Sequence, residues 1–254
     1  MKKTVLFLIA ATFPLMSCVS SSNKGNDVKT STMTYEEVQK SAEEASRKGF
    51  SRITVSGVCD VHYTQGNKCS VTFRGDEDDI SDLRITCDGR TLKLWQRSHN
   101  RHSSGDEYSV DVYITSPVLT AVGISGAADM DMKGRIKVDD FDVDISGAGN
   151  LDIDDMTGSN LDVDVSGAGD LDMGRITFTY AGISLSGASN CSTSSLKGGD
   201  LKLSASGASD ADLDGVDVNN AYCSASGASD IDINGSVKHL EKSASGASSV
   251  NVRH

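Results

Sequence analysis

The side chains able to do chemistry recur at fixed intervals. Asp131, Asp152, Asp172, Asp212 and Asp232 each stand six residues after a serine that opens a Ser-Gly-Ala triplet, and Ser192 and Asn251 hold the same position in two further copies. Carboxylates stacked in register on one outer face repel by roughly 1 kcal/mol per neighbouring pair in water, and divalent cations would relieve that cost. GAGDLDM (Gly167 to Met173) has a superficial likeness to the calcium-binding nonapeptide, but that motif needs nine residues per half-coil for successive loops to share an ion. The expectation is therefore solvated acidic faces that oppose edge pairing, with weak calcium binding as the alternative. No metal ligand and no cofactor is assigned.

The other reactive groups are scattered. Cys59, Cys69, Cys87, Cys191 and Cys223 lack a C-x-x-C spacing, and Cys191 and Cys223 fall at apolar positions where cysteine acts as a small hydrophobe. Cys59 and Cys69 are the pair whose spacing suits a bridge between adjacent strands. His62, His99, His102, His239 and His254 read as surface residues, and Trp95 suits either a core edge or an exposed platform. Ser-Gly-Ala occurs seven times, too often for a catalytic serine, and no G-x-S-x-G elbow accompanies it. No catalytic residue is assigned.

These groups are positioned by a repeat. Ser-Gly-Ala begins at Ser125, Ser146, Ser166, Ser186, Ser206, Ser226 and Ser245, a period of about 20 residues. That is too short for a helical-pair repeat and fits one coil of a β-solenoid. Three apolar columns recur in each period: Leu161, Val163 and Val165 before the serine, Leu151 and Ile153 after it, and Met156 further on, with polar residues between them. Three inward columns make a three-sided coil the simplest solution, and parallel stacking would place coils ~4.8 Å apart. Glycine suits a corner that must turn at the same place in every coil, and stacked serines can hydrogen-bond along the axis. Residues 118–254 hold these regular repeats and residues 50–117 a less regular start of the same domain.

Upstream, Thr34 and Glu37 form a capping box, Val38, Ala42 and Ala45 follow at helical spacing, and Gly49 ends the run, which predicts a short helix. Residues 1–17 read as a signal peptide: Lys2 and Lys3 precede an apolar run too short to span a bilayer. Leu15-Met16-Ser17-Cys18 has the form of a bacterial lipobox, making Cys18 the expected lipidation site and residues 18–49 a lipidated tether with the helix. The expected location is the cell envelope, anchored to the outer membrane through that lipid.

The acidic excess, 36 Asp and Glu against 24 Lys and Arg, argues against nucleic acid as partner. It is almost all Asp: 29 Asp and 7 Glu, a balance that disfavours a helical fold.

Three stretches, FSRITVSGVCDV (Phe50 to Val61), DGRTLKLW (Asp88 to Trp95) and YSVDVYITSPVLTAVGISGAADMDM (Tyr108 to Met132), lead into the repeats, the last of them holding the first Ser-Gly-Ala copy. With the repeats they resemble the auto-transporter adhesin head family, the GIN domain, of Bacteroides-like bacteria, over residues 50–254. The resemblance implies an all-β, right-handed parallel β-helix on an exported lipoprotein, and no catalytic residues to transfer. The expected function is non-enzymatic: a solenoid surface for adhesion or assembly, with a glycan or protein ligand. A carbohydrate- or calcium-binding module is the alternative. A polysaccharide-active β-helix enzyme would need long loops walling a cleft.

Overall fold

The structure, a computed structural model, describes residues 33–96 and 110–253. The signal segment, Cys18, His99, His102 and His254 lie outside the described residues.

The chain opens with helix α1 (Tyr35–Lys48), fixed at its start by the expected capping box: Glu37 Oε2 accepts from the Thr34 N–H at 2.7 Å, and the Glu37 N–H donates to Thr34 Oγ1 at 3.3 Å. Val38, Ala42 and Ala45 are buried. Short strands follow: β1 (Arg52–Gly57), β2 (Asp60–Gln65), β3 (Ser70–Gly75), the single turn α2 (Glu77–Ile80), β4 (Leu83–Cys87), β5 (Thr91–Gln96) and β6 (Val110–Ser116). Then come β7 (Ala121–Gly126), β8 (Asp129–Lys137) and β9 (Asp140–Gly147). The regular coils are β10 (Asn150–Gly167), β11 (Asp170–Gly187), β12 (Asn190–Gly207), β13 (Asp210–Gly227), β14 (Asp230–Gly246) and the partial β15 (Ser249–Arg253).

Each coil has three walls. β10 pairs in parallel with β11 over residues 150–153, 155–158 and 160–167, with Asp154 and Ser159 unpaired at the bends between them. Leu151 and Ile153 point inward from the first wall, Met156 from the second, and Leu161, Val163 and Val165 from the third, all buried. These are the apolar columns of the repeat, and stacking them makes one continuous core.

The third corner sets the geometry. The N–H of Ala148, Ala168, Ala188, Ala208, Ala228 and Ala247 each donates to the carbonyl of the corner glycine one coil back, at 2.7–2.8 Å. Those glycines have φ between 83° and 118°, where side chains are strained. A Cβ at Gly147 would lie 2.5 Å from the Gly126 carbonyl oxygen, and one at Gly227 would lie 2.6 Å from that of Gly207. The corner serines do not form a continuous hydroxyl ladder. Ser56 and Ser125 share a 2.7 Å contact, but Ser166, Ser186 and Ser206 donate to a carbonyl of the previous coil. A serine column does form three residues further on, facing inward: Ser189 Oγ lies 3.3 Å from Ser209 Oγ, and the Ser209 N–H donates to Ser229 Oγ at 3.3 Å.

Residues 50–117 do not run coil after coil. β1 lies between β5 and β7, and β2 between β6 and β8, so the first coil is enclosed by a later one on its outer side. Beyond that outer coil, β3 runs antiparallel to β6 and β4 antiparallel to β5. α1 closes this end: Ser46 Oγ accepts from the Val71 N–H at 2.8 Å, and Lys48 Nζ donates to the Cys87 carbonyl at 3.1 Å. At the other end Lys242 takes an inward column position beside Cys223 and donates to the Val250 carbonyl at 3.0 Å, ending the apolar column with a charge.

The five described cysteines are unpaired. Cys59 is buried just past the Gly57 corner, whereas Cys69 lies beside the Phe50 carbonyl under the end of α1, so no bridge joins them. Burial, with a smaller push from Asp60, raises the Cys59 thiol to about 12; burial, aided by Asp172, raises Cys191 to about 12. Burial raises Cys223 to about 11 against the pull of Lys242.

Two outcomes follow. Gly147→Ala is expected to lower stability by roughly 2–4 kcal/mol in urea titration, because backbone strain and a carbonyl clash act together. A loss below about 0.5 kcal/mol would show that the corner has slack. At pH 8 a thiol reagent is expected to modify Cys69 and Cys87 promptly, and Cys59, Cys191 and Cys223 only after denaturation. Equal rates for all five would contradict the buried placement.

Candidate functional site

A depression of about 390 Å³ lies on the third wall, across β9 to β12. Its outward positions begin as stacked carboxylates, Asp142 over Asp162 and Asp144 over Asp164. The stack breaks in the next coil, where Gly182 follows Asp162 and Lys202 follows Gly182, while Ser184 and Ser204 replace the second column. The missing side chain is covered by Tyr180: a Cβ at Gly182 would lie 3.0 Å from Tyr180 Oη and 2.7 Å from Asp162 Oδ1. The ring thus lies along its own strand, over the glycine, and Gly182 is buried although it stands in an outward column. An aromatic surface bordered by carboxylates, hydroxyls and one ammonium group offers stacking together with acceptors and donors for hydroxyl groups. Arg52 reaches the near edge and pairs with Asp142 at 3.6 Å.

Sequence reasoning did not single out Tyr180, Gly182 or Lys202. The available signal was the loss of the Asp-x-Asp pattern after Asp162 and Asp164, in a copy that also carries a tyrosine two residues before the glycine.

The first wall carries the stacked aspartates. Asp131, Asp152, Asp172, Ser192, Asp212, Asp232 and Asn251 follow one another in register as anticipated. Neutral donors act chiefly in the columns beside this one. In the adjacent column Asn150 donates to Asp129 and Asn190 to Asp170, each at 2.9 Å, and Ser249 to Asp230 at 2.7 Å. Ser192 likewise donates to Asp172, and Asn234 to Asp214 at 2.7 Å. Asp152 has a carboxylate on each side; partial burial, then Asp172 and Asp131, hold its carboxyl above the usual range. Lys133 compensates part of this charge, 3.5 Å from Asp131 and 3.7 Å from Asp154. Among the described residues, no group of three or more His, Cys, Asp or Glu is arranged to hold a metal ion.

His62 extends this wall toward α1. Its Nδ1 lies 3.2 Å from Asp131 and its Nε2 3.4 Å from Asp111, and the ring stacks on Tyr113 with centroids 4.9 Å apart. Trp95 is 38% exposed on β5, separated from the third-wall depression by β1 and β7. No helix of the described residues is long and apolar enough to cross a membrane.

The model of the family described as "Putative auto-transporter adhesin, head GIN domain" matches residues 49–176 and again 177–254. Among solved structures, one named "putative lipid binding protein" from Parabacteroides distasonis is 19% identical, with a TM-score of 0.67, covering 80% of this chain and 92% of its own. A "putative adhesin" from Bacteroides fragilis is 20% identical with a TM-score of 0.61, and another from Parabacteroides distasonis 16% identical with a TM-score of 0.66. Both have the same coverage of 80% and 92%. At these identities the likeness concerns the fold. Comparison with curated proteins gives no match.

The first wall yields a prediction with a definite sign. A carboxyl whose folded pKa is raised binds its proton more readily in the folded than in the unfolded chain, so its ionisation costs stability as pH rises through that pKa. Asp152→Asn should therefore raise Tm at pH 7 by about 1–2 °C, the effect expected of a screened, partly exposed repulsion. The gain should vanish in acid, where Asp152 is protonated in both states. An equal gain at both pH values would point to packing instead.

Proposed function

The chain belongs to the auto-transporter adhesin head GIN domain family, and from that premise we propose that it is a non-enzymatic, lipid-anchored protein of the bacterial cell envelope whose third wall binds carbohydrate. The observation that carries the binding role is Tyr180 lying over Gly182, an aromatic floor bordered by Asp162, Asp164 and Lys202. Stacking of a sugar ring on an aromatic face, with hydroxyls donating to carboxylates, needs no moving part. A wall of parallel strands supplies such rigidity, since the ordering cost on binding is small when the surface is already fixed. The adhesin names of the family and of two structural neighbours support a role in contact. Leu15-Met16-Ser17-Cys18 supports attachment through lipid on Cys18, with the polar residues after it as tether.

Two measurements test the proposal. Cys18→Ala should move the protein from the membrane fraction to the soluble fraction; unchanged membrane retention would remove the lipid anchor. In a screen of neutral glycans, Tyr180→Ala should weaken any saccharide that binds by about tenfold or more, as loss of an aromatic stack does. Binding that survives Tyr180→Ala unaltered would exclude the third wall as the site.

A further inference from the structure

The second wall differs in charge from the other two. Its outward positions over four successive coils are Arg135 and Lys137, Asp155 and Thr157, Arg175 and Thr177, and Ser195 and Lys197, each pair in register with the next. Over these four coils four cations face one anion, with Asp217 of the next coil in register beside Lys197, on a chain whose formal net charge is −12. All four cations are exposed.

The one anion is already used. Asp155, its side chain 11% exposed, accepts on Oδ2 from Arg135 Nε at 3.3 Å and from Arg175 Nε and Nη2 at 3.3 and 3.1 Å. The arginines come from the coils on either side of Asp155, and both guanidinium groups are fixed against one oxygen while their side chains stay 68% and 69% exposed. A guanidinium carries five N–H donors. The Asp155 contacts use one on Arg135 and two on Arg175, and the rest are left for a ligand. Both arginines border a cavity of about 460 Å³ together with Gly134 and Asp154. A pair held in place this way loses little freedom on binding and presents the fork geometry that suits carboxylate and sulfate. Lys137 and Lys197 flank the pair about 14 Å apart along the axis, three strand spacings.

We propose that the second wall binds an acidic polysaccharide, with one carboxylate or sulfate group seated on Arg135 and Arg175 and further groups along the polymer reaching Lys137 and Lys197. The charge distribution selects a narrow polymer. A broad anionic surface such as a bilayer is repelled by the chain's net charge of −12, whereas a single polymer chain laid along the axis can follow the cations of this wall. This inference concerns a different wall from the Tyr180 depression and does not rest on it.

The test measures binding of the full chain, in mild detergent, to polygalacturonate as the carboxylated probe and heparin as the sulfated one, in low and high salt. Wild type should bind at least one probe, with affinity falling as salt rises. Arg135→Gln with Arg175→Gln should weaken binding by about tenfold or more, because charge-assisted hydrogen bonds are lost. That variant leaves Asp155 unpaired, so Lys137→Gln with Lys197→Gln, which keeps the Asp155 contacts, provides an independent reading and should weaken binding several-fold. Lys40→Gln with Lys68→Gln, equal in charge but on α1 and the β2–β3 connection, should bind as wild type, and so should Tyr180→Ala. The proposal is overturned if neither probe binds, if the Lys40 and Lys68 variant loses as much as the second-wall variants, or if duplex DNA or anionic vesicles bind more tightly than both polysaccharides.

Discussion

The structure depends on one hydrogen bond repeated at one corner: an alanine N–H donating to the carbonyl of the corner glycine one coil back. The coils can come close enough to make it only because no Cβ stands between them, and the same glycines supply the positive φ that turns the chain from the third wall into the first. The apolar columns stack because this corner holds every coil at the same rotation. A larger residue there would shift the register of every wall beyond it, which explains why Ser-Gly-Ala survives in copies whose walls have diverged.

Parallel stacking carries an electrostatic cost, since a residue repeated in every coil meets its own kind at strand spacing. The chain meets that cost differently on each wall. On the first, asparagine and serine in the column beside the stacked aspartates donate to carboxylates of the neighbouring coil, and Ser192 interrupts the stack itself. On the third, the carboxylate stack stops at Gly182 and gives way to Tyr180, Lys202 and serines. The second wall sets arginines on either side of a single aspartate. The three walls are thus chemically distinct surfaces on one regular scaffold.

Most of the scaffold was legible in the sequence because periodicity is a statement about space: the spacing of Ser-Gly-Ala gave the coil, and the alternation around Val163 and Ile153 gave its walls. The α1 helix was legible from Thr34, Glu37 and Gly49, since capping is local chemistry. The order of the first strands was not. Nothing in the short run of β1 records that β5 and β7 will flank it, because that pairing is fixed by contacts distant in sequence. The inward serines at 189, 209 and 229 were hidden by their polarity, which marks a surface residue unless a partner in the next coil satisfies it. Tyr180 escaped notice because its role comes from the absence of a side chain at Gly182.

The enclosure of the first coil between β5–β6 and β7–β8 bears on how the chain can be assembled. Every strand beneath the first Ser-Gly-Ala coil, together with α1, precedes that coil in sequence, so a chain released N-terminus first has its foundation complete before the repeats follow. Each later coil then finds a ready edge and needs contacts only about 20 residues back, so construction is vectorial, and the long search that normally slows β-rich proteins is divided into short local steps.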